Sequence, residues 1–93
     1  MNGVNSNTVT ASTISLNGQD GLSINNAVGN VFSGLQVTDN TWYGIRTDTA
    51  SNNNQFLNNT VTGSLINIDI NDRSGNTFAE LLNTWTGNVC NND

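Results

Sequence analysis

The sequence contains no proline, no histidine and no lysine, and one cysteine among its 93 residues. Each absence excludes something. Cys90 has no second cysteine to pair with, so no internal disulfide staples the fold; a free thiol is expected, with a partner outside this segment as the alternative. Arg46 and Arg73 are the only cations in a chain of net charge -5. Phosphate-binding surfaces need clustered Lys or Arg, so nucleic acid is not expected as a partner. Apolar runs stop at two residues, as in Leu65-Ile66, and nothing here can span a bilayer as a helix. The opening MNGVNSNTV has neither a basic start nor an apolar stretch, so it is not expected to act as a signal peptide. Charged residues make up only 10% of the chain, which separates it from highly charged disordered segments.

What the chain does have is Asn, Thr, Ser and Gly, with Asn filling about a fifth of all positions. These residues favour turns and local side-chain-to-backbone bonds. They also recur. NTVTASTISLNGQDGLSI (7–24) and NVFSGLQVTDNTWYGIRT (30–47) share one skeleton. Asn7, Asn30, Asn54 and Asn76 follow each other at steps of 23, 24 and 22 residues. Two residues after each comes Val9, Phe32, Phe56 and Phe78. Ile14, Val37 and Val61 form a third column, Leu22, Ile45 and Ile68 a fourth, and Ile24, Thr47 and Ile70 a fifth. The fourth copy is irregular: Asn83 falls where an aliphatic is due, as is common at the end of a repeat array.

Each copy holds three runs of three or four residues in which apolar and polar side chains alternate, clearest in Leu22-Ser23-Ile24 and Ile45-Arg46-Thr47. A period of two is a strand with one face inward. Asn and Gly interrupt too often for helices of ten or more residues. The expectation is an all-β fold, a right-handed parallel β-helix (solenoid) of about four coils of roughly 22–24 residues, stacked at the ~4.8 Å spacing of neighbouring strands. Phe32, Phe56 and Phe78 then pile in one interior file, with Trp85 as a lid on the last coil. Asn7, Asn30, Asn54 and Asn76 become a structural ladder at a bend, with Asn17 and Asn40 a shorter second one. Asn tolerates left-handed backbone and can bond to its copy above. Gly21 and Gly44 are expected to supply positive φ before the third strand.

The unit resembles the repeats of right-handed parallel β-helix proteins of the pectate-lyase-like superfamily, nearest to NosD-type repeats of the form NxIxxNxIxxNxxxGIxI. NVFSGLQVTDNTWYGIRT and NQFLNNTVTGSLINIDI carry the likeness, and NTFAELLNTWTGNVCNND is similar to a closing coil of secreted bacterial members. The resemblance implies a secreted or cell-surface bacterial or phage protein and admits lyases, hydrolases, tailspikes and inert surface proteins alike. Uronate lyases need basic groups or Ca2+ to neutralise the substrate carboxylate and a base to take the C5 proton. With no His or Lys, and no lyase or polygalacturonase motif, enzyme activity is not expected of this chain.

The remaining chemistry-bearing residues are few. Trp42 and Tyr43 precede Gly44 in a loop and are candidates to stack on sugar rings, with core packing as the rival reading. Column spacing sets Arg46 against Asp69, either a surface charge pair or a substrate-facing acid and base; Trp42, Tyr43, Arg46 and Asp69 are the candidate carbohydrate contacts. Asp48 and Asp72, a step of 24 apart, are the only candidate Ca2+ ligands, and solvated loop charges are the preferred reading. No other cofactor is implied. Partly Thr-rich faces raise ice binding as a remote third reading. Bare strand edges at the ends of so short a stack are templates for pairing. The single domain 1–93 is therefore expected to be a fragment of a longer β-helix or a unit that self-associates through its ends or faces.

Overall fold

The computed structural model describes residues 1–64, 70–72 and 83–90, and among them the secondary structure is all strand and turn. The strands are β1 (Thr8–Thr10), β2 (Thr13–Ser15), β3 (Leu22–Ile24), β4 (Val31–Ser33), β5 (Gln36–Thr38), β6 (Ile45–Thr47), β7 (Gln55–Leu57), β8 (Thr60–Thr62), β9 (Ile70–Asp72), β10 (Thr84–Thr86) and β11 (Val89–Cys90). They form three sheets, ordered β1-β4-β7-β10, β2-β5-β8-β11 and β3-β6-β9. Every pairing is parallel and joins a strand to the one three places later in the chain. The chain thus visits each sheet once, in the same order, before starting again.

The strands are short because corners interrupt the described chain between them. Ser6, Gly29 and Asn53 take φ of 58°, 71° and 55°, each one residue before Asn7, Asn30 and Asn54. Leu16 and Asp39 do the same before Asn17 and Asn40, at 58° and 55°. Ala11, Gly34, Asn58 and Gly87 do so before Ser12, Leu35, Asn59 and Asn88. A left-handed residue breaks the extended run and aims the next side chain inward. This corrects the expected role of the ladder asparagines: the left-handed residue is their predecessor, and the ladder residue itself points into the corner.

The core follows from the inward face. Ile24, Ala27, Phe32, Val37, Ile45, Phe56 and Val61 are fully buried, with Leu35 1% exposed. The Phe32 and Phe56 rings lie 4.9 Å apart, stacked and nearly parallel, at the spacing of paired strands. The next ring is Trp85, at 3.8 Å from Phe56. Trp85 is therefore a member of the aromatic file and pairs in register with Phe56. Phe78 and Asn76 lie outside the described residues; the place above Asn54 is taken by Asn83, a step of 29 residues. A similar shift occurs in the third sheet. Ile45 pairs with Ile70, Arg46 with Asn71 and Thr47 with Asp72, two residues beyond the expected register. Ile68 and Asp69 lie outside the described residues.

Gly21 is also corrected. Its φ is not positive. What demands glycine is space: a Cβ there would lie 2.5 Å from Asn40 Nδ2, 2.6 Å from Val37 Cγ1 and 2.7 Å from the Gly44 carbonyl oxygen. Gly44 likewise lies outside the positive-φ region. Gly21→Ala is expected to cost about 1–3 kcal/mol by overpacking, read as a lower urea midpoint with an unchanged slope. A neutral result would mean that the loop can move away from Val37 and Asn40 freely.

Candidate functional site

Two polar constructions stand out: the asparagine files that run through the corners, and a charged and aromatic cluster before the third sheet. In the first file, Asn7 donates from its backbone N–H (2.8 Å) and Nδ2 (3.1 Å) to Asn30 Oδ1. Asn30 does the same to Asn54 Oδ1, at 2.9 and 3.0 Å. Asn54 does the same to Asn83 Oδ1, at 2.9 and 3.1 Å. The second Nδ2 hydrogen goes to a backbone carbonyl of the preceding circuit: Val4 for Asn30, Ala27 for Asn54 and Ser51 for Asn83. Asn17 and Asn40 repeat the pattern at another corner.

A further file was not anticipated. Leu35 N–H donates to Asn59 Oδ1 at 2.8 Å, and Asn59 donates from N–H and Nδ2 to Asn88 Oδ1, both at 2.9 Å. Leu35 occupies a rung without an amide, so the file opens at Asn59. The signal was the spacing Asn54-x-Phe56-x-x-Asn59, which recurs as Asn83-x-Trp85-x-x-Asn88. All these files have one polarity between rungs: each backbone N–H and one Nδ2 hydrogen point to the Oδ1 of the later rung, and each Oδ1 points back.

The cluster is built on β3 and β6 and the loops before them. Arg46 Nη2 lies 2.8 Å from Asp20 Oδ2, with the Asp20 side chain 7% and the Arg46 side chain 35% exposed. Nη2 also donates to Ser23 Oγ at 3.4 Å, and the guanidinium sits 5.7 Å from the Tyr43 ring centre. Asp20 Oδ1 accepts the Tyr43 N–H at 3.3 Å, and the Trp42 N–H donates to the Gln19 carbonyl at 3.0 Å. So the structure brings Tyr43 and Arg46 together, with Trp42 beside them 44% exposed. Among the described residues the acid paired with Arg46 is Asp20, one circuit earlier; the expected partner Asp69 lies outside them. The column spacing of the sequence looked forward along the chain, to Asp69, for the partner. The nearly buried Asp20 carboxylate is satisfied by Arg46 on one oxygen and the Tyr43 N–H on the other.

Asp48 serves the backbone. Its Oδ1 accepts from the N–H of Asn26 (3.1 Å) and Ala50 (3.2 Å) and from Ser51 Oγ (2.6 Å). Desolvation alone would push its pKa up; the bonds from Ser51, Asn26 and Ala50 together outweigh it and hold the group below the ordinary 3.8. A depressed folded pKa stabilises the fold above the unfolded value, and that contribution is lost as pH falls through the folded one. Urea midpoints are expected to drop below pH 3.8 less steeply for Asp48→Asn than for wild type; parallel curves would remove Asp48 from the acid response. Asp72 pairs with Thr47 in the sheet, one position away from Asp48. Among the described residues, no three acidic, His or Cys side chains come together as a metal site, and no helix is long and apolar enough to cross a membrane.

The described chain is thus an all-β protein with three parallel sheets, compatible with a parallel β-helix. No family model, no curated protein and no solved structure matches it.

Proposed function

We propose that this chain is a single right-handed parallel β-helix domain of the pectate-lyase-like kind, with NosD-type repeats. Its role is a non-catalytic structural module of a secreted or cell-surface bacterial or phage protein, associating through its ends or faces. The observation that carries this reading is the sheet order: each strand pairs with the third one along, so the outer edges of β1 and β2 lie at one end of their sheets and those of β10 and β11 at the other. Such edges recruit further strands. The described polar groups support a structural role, since the buried asparagines and Asp48 are spent on holding circuits together. The test is sedimentation across a wide concentration range. A growing weight-average mass supports the module as an assembling unit; a monomer at every concentration counts against it.

A second reading rests on Trp42. An aromatic ring 44% exposed beside Tyr43 and Arg46 has the character of a sugar-stacking surface, so polysaccharide is the alternative partner. Trp42→Ala is expected to weaken any glycan-array signal, by up to about tenfold in affinity for the loss of one stacked ring. Equal signals from wild type and variant would rule out that surface.

A further inference from the structure

The charge balance around Arg46 bears on which sugars the Trp42 surface takes. Resting on the polysaccharide reading above, we propose that this surface selects neutral, hydroxyl-rich glycans over uronate-bearing ones, and that Asp20 is the positioning residue that sets the choice. An unpaired guanidinium is the group that draws a sugar carboxylate, through a charge-assisted and often bidentate pair. Here a carboxylate of the chain already holds that place: Arg46 Nη2 lies 2.8 Å from Asp20 Oδ2. Asp20 is also pinned. Its other oxygen accepts the Tyr43 N–H at 3.3 Å, and its side chain is only 7% exposed. The backbone on either side is tied to the next circuit, with the Trp42 N–H on the Gln19 carbonyl at 3.0 Å and the Gly21 N–H on the Tyr43 carbonyl at 2.9 Å. A uronate arriving at Arg46 would share one cation with a carboxylate that cannot swing away, and like charges set side by side are costly at an interface.

Neutralising the charge does not use up the donors. Among the described residues Arg46 engages Asp20 and Ser23 through Nη2 alone. Nε and Nη1 remain to donate to sugar hydroxyls, on a side chain 35% exposed. The Tyr43 ring packs against the guanidinium and holds it in place, and the exposed Trp42 ring supplies the stacking face. The surroundings also disfavour an anion. Asp48 follows two residues after Arg46 and, among the described residues, is bonded to Ser51 Oγ and backbone N–H groups with no cation beside it. The chain as a whole carries a net charge of -5. Such a field repels a polyanion on approach and leaves an uncharged polymer unaffected.

The experiment compares binding to two panels of oligosaccharides of matched length: uncharged glucans, mannans, xylans and galactans, and oligomers of galacturonate, glucuronate and mannuronate. Wild type is expected to bind its best neutral oligomer about tenfold or more tighter than any uronate at low salt, with a neutral affinity that added salt does not change. Asp20→Asn keeps an acceptor for the Tyr43 N–H and removes the charge facing Arg46. It is expected to narrow the gap between the panels by up to about fivefold, the worth of one partly exposed charge pair. The ratio of the two affinities is the readout, because a damaged fold lowers both together. Circular dichroism checks that the variant folds; if it does not, the wild-type comparison, which needs no variant, decides. Uronates bound by wild type as tightly as the neutral panel, or the same ratio in folded Asp20→Asn as in wild type, overturn the selectivity and leave the polysaccharide reading standing. Wild type that binds neither panel overturns the polysaccharide reading itself, and the selectivity with it.

Discussion

Asn54→Ala is expected to destabilise the protein by about 3–5 kcal/mol, from buried polar groups left unpaired at roughly 1–3 kcal/mol each. The Asn54 side chain is fully buried and makes four hydrogen bonds. Truncation strands the Asn30 N–H and Nδ2 and the Ala27 carbonyl, and removes one of two donors to Asn83 Oδ1. No water reaches these groups to take over, so the penalty is near the full desolvation cost of each, less what the corner recovers by relaxing. Asn54→Asp is no rescue. It keeps the acceptor but aims a charged oxygen at the Ala27 carbonyl and Asn83 Oδ1. Asn7→Ala is the control: Asn7 is exposed and gives up only bonds that solvent can replace, so less than about 1 kcal/mol is expected. Equal urea-derived losses for Asn7→Ala and Asn54→Ala would mean that the file is not what holds the corner.

Phe56→Ala is expected to cost about 3–5 kcal/mol, the usual range for emptying a buried Phe site. Phe56 is the middle ring of three, with Phe32 at 4.9 Å on one side and Trp85 at 3.8 Å on the other. The cavity cannot close, because paired strands above and below fix the ring spacing. Phe56→Leu restores most of the volume without the stacking and should cost less than half as much. Trp85 reports the change directly: losing its stacked neighbour shifts its emission to longer wavelength. Trp42, exposed, contributes a constant background that Trp42→Phe removes. An unshifted Trp85 emission in Phe56→Ala would take Trp85 out of the file.

These two effects reach their size through stacking, and stacking was visible in the sequence wherever spacing was regular. Asn7 to Asn30 to Asn54 and Val9 to Phe32 to Phe56 follow at 23 and 24 residues, and those pairings are found. The misreadings have one physical origin. A strand shifted by two residues keeps the same face inward, so Ile68 and Ile70 fit the column of Ile45 equally well by pattern. Asn76-Thr77-Phe78 and Asn83-Thr84-Trp85 are the same motif seven residues apart, and either satisfies the corner locally. Only the second is followed at the right distance by an inward asparagine, Asn88, and by Cys90 over Val61.

The candidate cluster was less legible. Nothing in the spacing of Arg46 distinguishes a carboxylate on the circuit after it from one on the circuit before it. The choice of Asp20 depends on a loop that folds back so that its carboxylate also caps Tyr43 N–H. Gly21 was singled out correctly as a position that needs glycine, but for its backbone freedom; the reason is a close approach to Val37, Asn40 and Gly44, and close approaches between circuits leave no local trace.

The sequence by itself determined the strand class, the repeat length over the first two and a half circuits, and which side chains turn inward. Those are properties of alternation and of residues that accept left-handed corners, and both act within a few bonds of the chain. Tertiary structure decided the register after the third circuit, the partner of Arg46 and the extra file through Asn59 and Asn88. These depend on which of several locally equivalent segments fills a place already shaped by the circuit before it, and only packing across the stack can choose between them.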